Sequence, residues 1–151
     1  MKLKSILQTA LFVITSLTLT ACSNEDDVDE IFVGVGKTWK MSGGKFKNQV
    51  FSKERIQQLH ANKESYYIVF GNSTFSGKLS SNSSFSGSWR TDGGNRKIKL
   101  LVTSTNNCDQ TEMDTEIIQL LNSVTHYSGD ANNVALQTSD YSTLNMSSVN
   151  M

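Results

Sequence analysis

The side chains best able to do chemistry are few. His60, His126 and Cys108 could in principle ligate a metal ion. A protein metal site is normally built on close-spaced ligand pairs, and these three are far apart in sequence, so no metal ligand is expected. Gly36-Lys37-Thr38 has the ending of a phosphate-binding loop. That loop also needs a glycine five positions earlier, where Ile31 stands, and a helix directly after it. Trp39-Lys40-Met41 reads instead as a strand, so no cofactor-binding residue is expected. Serine is abundant, and His126 lies near Asp130, but no Gly-x-Ser-x-Gly elbow presents a nucleophile. No catalytic residue is assigned, and the protein is not expected to be an enzyme. Trp39, Tyr66, Tyr67, Phe85 and Trp89 could line a carbohydrate or lipid site. Large residues that alternate with polar ones more often fill the buried face of a sheet, and that is the reading adopted here.

A different chemistry is legible at the N-terminus. Lys2 and Lys4 precede an apolar run from Ile6 to Leu19 that is too short to span a bilayer. A positive start and a short apolar stretch form a secretory signal. Its end, Leu19-Thr20-Ala21-Cys22, resembles the lipobox of bacterial lipoproteins. The resemblance implies that the Cys22 thiol receives a diacylglyceryl group and that the chain is cut between Ala21 and Cys22. Residues 1–21 are then the signal peptide, and the mature protein is held to a membrane by lipid on Cys22, with several acyl chains giving a firm anchor. Ser23 to Glu30 holds Glu25, Asp26, Asp27, Asp29 and Glu30. Such a run repels itself and buries little, so residues 22–33 read as the lipidated cysteine and a flexible acidic tether. Glu25-Asp26-Asp27 is also similar to an acidic export signal that sends lipoproteins across the outer membrane. The expected location is the outer membrane, lipid-anchored and exposed at the cell surface, with the periplasmic face as the alternative.

Cleavage removes two of the 14 basic residues and none of the 14 acidic ones, leaving a net charge of −2. That balance argues against a nucleic-acid partner. With Cys22 acylated, Cys108 has no intramolecular partner, and a monomer with a free, slow-reacting thiol is expected. The sequence identifies no protein or small-ligand partner.

Residues 34–151 form one domain by length and pattern. A first strand is expected at Thr38–Met41, ended or bulged by Gly43-Gly44. Ser52 can cap a short helix with Ile56 and Leu59 on one face. Glu64 to Phe70 enters a strand through Tyr66, Tyr67, Ile68 and Val69. Phe75, Gly77, Leu79, then Phe85, Gly87, Trp89, then Ile98, Leu100, Val102 alternate with polar neighbours around the turn Asp92–Asn95, which predicts an antiparallel meander. Glycines opposite large aromatics predict close packing at Gly77 and Gly87. Residues 104–111 read as a polar loop. Thr111-Glu112-Met113-Asp114 is a capped helix start, with Met113, Ile117, Leu120, Leu121 and Val124 at helical spacing. Short strands follow at Thr125–Tyr127 and Val134–Gln137, and a last one turns Leu144 and Met146 inward. The fold class is α+β: a coiled antiparallel sheet or partly open β-barrel, one main helix packed on it, and a second short helix.

The order of these features resembles the META domain family, HslJ-like, over residues 36–149. The resemblance rests on Trp39, Phe75-Ser76-Gly77, Asn82 before Phe85-Ser86-Gly87-Ser88-Trp89, Thr103-Ser104-Thr105-Asn106-Asn107-Cys108, the helix Glu116–Leu121, Val124-Thr125-His126-Tyr127 and Val134-Ala135-Leu136. It implies a non-catalytic envelope domain associated with stress tolerance. Where that family carries a cysteine able to pair with the one at Cys108, this chain has Ser81. The leading expectation is a membrane-anchored envelope lipoprotein that acts by binding or support. The alternatives are a lipocalin-like carrier of a small apolar ligand and, more weakly, a hydrolase.

Overall fold

The computed structural model describes residues 31–34, 37–92, 94–107 and 110–151. The chain forms β1 (Lys37–Phe46), β2 (Gln49–Val50), α1 (Lys53–His60), β3 (Tyr67–Phe70), β4 (Thr74–Lys78), β5 (Ser83–Asp92), β6 (Lys97–Asn107), α2 (Glu112–Ser123), β7 (Val124–Gly129), β8 (Asn133–Thr138) and β9 (Thr143–Asn150). Every strand pairing is antiparallel, and β1 pairs with both β3 and β9, so the sheet closes on itself. Eight strands make the barrel, and β2 only extends one end of β1. The α+β expectation holds, and the sheet is closed rather than partly open.

Local chemistry accounts for most elements. β1 bulges just ahead of Gly43: the register to β9 shifts between Met41 and Gly43, and the strand runs on to Phe46. Ser52 caps α1, its hydroxyl accepting the Arg55 N–H, and Leu59 faces inward. Thr111 and Asp114 form a reciprocal capping box at the start of α2, whose Met113, Ile117, Leu120 and Leu121 are buried. Gly77 stands opposite Phe85, and Gly87 lies in register with Phe75. A methyl group on Gly77 would come within 2.4 Å of the Phe85 ring, and one on Gly87 within 1.9 Å of the Leu101 carbonyl oxygen. The predicted close packing at these two glycines is present.

Two sequence expectations need correction. Residues 104–107 are strand, not loop: Phe85↔Thr105, Ser84↔Asn106 and Ser83↔Asn107 continue the β5–β6 ladder. Long-range pairing outweighs a polar composition with no strand preference of its own. The segment read as flexible tether also reaches into the fold at its end. Phe32 is fully buried, and Ile31 and Val33 pack against the core.

Phe32 closes one end of the barrel. Its ring lies 5.0 Å from Phe70, 5.0 Å from Tyr127, 5.6 Å from Trp89 and 6.1 Å from Trp39, all tilted or edge-on. The Trp39 indole N–H donates to the Phe32 carbonyl at 3.1 Å. Helix α2 covers the opposite end, between β6 and β7, where the sheet is weakest. Those strands share one registered pair, Lys97↔His126, and beyond it the Val102 N–H donates instead to Asn122 Oδ1 of α2 at 2.8 Å.

Candidate functional site

The predicted lipidation and processing residues, Ala21 and Cys22, lie outside the described residues, as do Glu25, Asp26, Asp27 and Cys108. Among the described residues no helix is long and apolar enough to cross a membrane, and no group of three His, Cys, Asp or Glu is placed to hold a metal ion. His60 ends α1, exposed, whereas His126 is exposed on β7 with Nδ1 2.9 Å from Thr125 Oγ1. Asp130 serves the β7–β8 turn. It accepts the Asn132 and Asn133 N–H groups at 2.8 and 2.9 Å, and these bonds, with Lys37 nearby, hold its carboxyl below the usual range. Lys37 opens β1, and its ammonium donates to the Ile31 carbonyl. Partial burial lowers its pKa, opposed by Asp130.

The most perturbed titratable group is inside. Tyr66, at the entrance to β3, is buried in a left-handed conformation at φ 55°. Its N–H donates to the Leu79 carbonyl at 3.0 Å, and its own carbonyl accepts the Met41 N–H at 2.8 Å, which fixes this uncommon backbone. The phenol donates to Asp114 Oδ1 at 3.0 Å and accepts from Gln58 of α1 at 3.0 Å. The other carboxylate oxygen of Asp114 accepts Ser80 Oγ at 2.6 Å and the Thr111 N–H at 3.3 Å. Desolvation, then the Asp114 charge, pushes the Tyr66 phenol up to about 12. A buried tyrosine–carboxylate pair is a possible acid–base device, but here both groups are hydrogen-bonded within the protein and Asp114 is wholly buried. The network joins α1, β3, the β4–β5 turn and the α2 cap. Its chemistry is that of a fastening.

The barrel axis is filled. Phe32, Trp39, Met41, Ile68, Leu136 and Leu144 are each at most 1% exposed. Of the five aromatics weighed in the sequence as core or ligand platform, Trp39, Tyr66, Phe85 and Trp89 are core. Tyr67 is half-buried and lines a shallow outer hollow beside Ser76 and Ser104.

The outer wall of β5 and β6 carries what the sequence analysis did not single out. Arg90 stands directly opposite Lys99, and Asp92 opposite Lys97. Arg90, Lys97 and Lys99 are exposed, and none makes an ion pair among the described residues. Together with Thr91, Asp92 and Thr125 they rim a surface groove of about 500 Å³, floored by Ile98 and Val124, at the seam where β6 and β7 part. A second hollow of about 270 Å³, over Ser88 and Leu101, adjoins it across Arg90 and Lys99. Like charges facing each other across strands destabilise a sheet, so this pair is a local cost. The sequence alone misplaces the pair: a turn at Asp92–Asn95 would set Arg90 against Lys97, whereas the longer connection between Asp92 and Lys97 sets it against Lys99.

Comparison with known proteins corrects the META resemblance. A family model described as a domain of unknown function (DUF4847) matches residues 23–147. Among solved structures, a DUF4847 family protein from Bacteroides vulgatus ATCC 8482 shares the fold with a TM-score of 0.63 at 22% identity, over 82% of this chain and 99% of that one. No META or HslJ relationship emerges from either comparison. No curated protein matches the chain.

Proposed function

The chain belongs to the DUF4847 family, and from that premise we propose a non-catalytic barrel, lipid-anchored through Cys22 in the outer membrane and exposed at the cell surface, that acts by binding at its outer wall. The observation that carries the reading is the filled interior: Phe32, Trp39, Phe70, Trp89 and Tyr127 occupy the space a carried ligand would need. Buried carboxylate and phenol groups are satisfied within the protein, whereas the outer groove is polar and accessible. The Leu19–Cys22 sequence supports the anchor, and the acidic run after it supports export.

The carrier reading has one observation in its favour. An antiparallel barrel closed by eight strands is the architecture of lipocalin-type carriers. It would require the Phe32 segment to leave the barrel.

The experiment has two arms. Cells expressing the protein are labelled with a fatty-acid analogue, and label is expected on the native chain and absent from Cys22→Ala. Label retained by the variant sinks the anchor. The purified protein is then titrated with an environment-sensitive apolar dye. No saturable binding is expected, and stoichiometric uptake would establish the carrier instead.

A further inference from the structure

We propose that the Arg90–Lys99 pair and its two flanking hollows form a binding groove for an acidic polysaccharide chain. The inference deepens the outer-wall reading above and rests on it.

Four observations converge. First, Arg90 and Lys99 occupy directly opposed positions and neither makes an ion pair among the described residues, while Lys97, two residues along the same face of β6, is faced by Asp92. Two facing cations with no acidic residue between them stand out in a chain whose mature net charge is −2. Second, the like-charge pair is unfavourable in the free protein and becomes favourable only when an anion lies between the two side chains. An arginine guanidinium is shaped to take a carboxylate or phosphate through two parallel hydrogen bonds, with the neighbouring ammonium as a second donor. Third, the hollows of about 500 and 270 Å³ adjoin at this pair, so the cations sit midway along an extended depression. A chain molecule can lie along such a depression with an acidic group at its centre. Fourth, the Ser88 hydroxyl borders one hollow, and Thr91 and Thr125 border the other, the Thr125 hydroxyl already 2.9 Å from His126 Nδ1. Hydroxyls that both donate and accept suit the hydroxyl groups of sugars.

The same geometry disfavours a bilayer as the occupant. A planar anionic surface is met by protruding cations, whereas these line a concave stretch of side wall. Of the large apolar residues exposed among the described residues, Leu101 alone lines these two hollows.

The test uses the mature chain from Cys22 with Cys22→Ser, so that its outcome is independent of lipidation. A polygalacturonate oligomer is titrated by calorimetry, with neutral maltodextrin as control. Saturable binding that weakens with added salt is expected for the acidic oligomer only. The double variant Arg90→Gln/Lys99→Gln should bind at least tenfold more weakly, while Lys63→Gln, in the turn between α1 and β3, should bind as the parent does. The double variant should also melt no lower than the parent, because it loses a repulsion. Unchanged affinity in the double variant, or equal binding of maltodextrin, overturns the proposal. So does binding to phosphatidylglycerol vesicles without binding to the soluble oligomer, which would make the wall a membrane-facing surface. If the acyl-label experiment fails and this one succeeds, the anchor is wrong and the groove stands.

Discussion

The phenol of Tyr66 donates to the carboxylate of Asp114 at 3.0 Å, across 48 residues of sequence, and so ties the entrance of β3 to the first turn of α2. The bond sets a pH dependence. Tyr66 titrates at about 12 when folded and near 10.0 when unfolded. The folded state therefore holds its proton more tightly, so this contribution is complete below pH 10 and is lost as pH rises towards 12. The loss should be on the order of 2 kcal/mol, by denaturant unfolding at stepped pH. Tyr66→Phe should flatten that dependence and cost about 1–2 kcal/mol at neutral pH, since Ser80 and the Thr111 N–H still serve Asp114. A variant with the parent's alkaline profile would show that Tyr66 is not the titrating group.

Trp89 packs edge-on against Phe70 at 5.1 Å and donates its indole N–H to the Gly71 carbonyl at 2.9 Å. Trp89→Ala should destabilise the barrel by about 3–5 kcal/mol. Chemical denaturation measures it directly. A drop of less than about 1 kcal/mol would mean that the ring does not support the core.

Gly87→Ala places a methyl group against the Leu101 carbonyl and the Phe75 ring. The carbonyl belongs to the strand ladder and cannot yield without loosening β5 from β6. The expected cost is about 2–3 kcal/mol, seen as a lowered melting temperature. Gly43→Ala, where nothing lies within 4 Å, is the matched control and should change stability far less.

How far the fold was legible follows from where its causes lie. The meander, the Ser52 and Thr111 caps and the stripe Met113–Leu121 rest on local alternation, capping chemistry and helical spacing, which a sequence displays. The extension of β6 through Asn107 was hidden, because its cause is Ser83–Phe85 on the neighbouring strand. Phe32 was hidden for a similar reason. It follows directly on an acidic run, and only the ring of Trp39, Phe70, Trp89 and Tyr127 around it explains its burial. Of the candidate groove, the residue types were visible as an alternation, but their meeting depends on register across a turn. The Tyr66–Asp114 bond joins residues that each have an adequate local reading, one as strand core and one as helix cap.

The acidic run predicts a cellular outcome. Replacing Glu25, Asp26 and Asp27 by Ala should keep the protein inside the outer membrane, so that protease added to intact cells no longer reaches it. Unchanged protease access after substitution would remove the export role and leave the lipid anchor untouched.

Phe32→Ala should destabilise the protein by about 3–5 kcal/mol, because the ring is fully buried among aromatic neighbours. Calorimetric melting checks it, and a near-neutral result would mean that the barrel end closes without the ring.

The burial of Phe32 also has a mechanical side. Tension applied to the chain ahead of Ile31 does not begin by peeling a strand from the surface. It pulls first on an aromatic ring wedged among Trp39, Phe70, Trp89 and Tyr127, and on the Trp39 indole bonded to the same residue. Behind that wedge lies β1, held along Lys37–Lys45 by β9. A pull on this segment is thus shared between the ring packing at one end of the barrel and β1, whose Lys37 and Trp39 are bonded to Ile31 and Phe32.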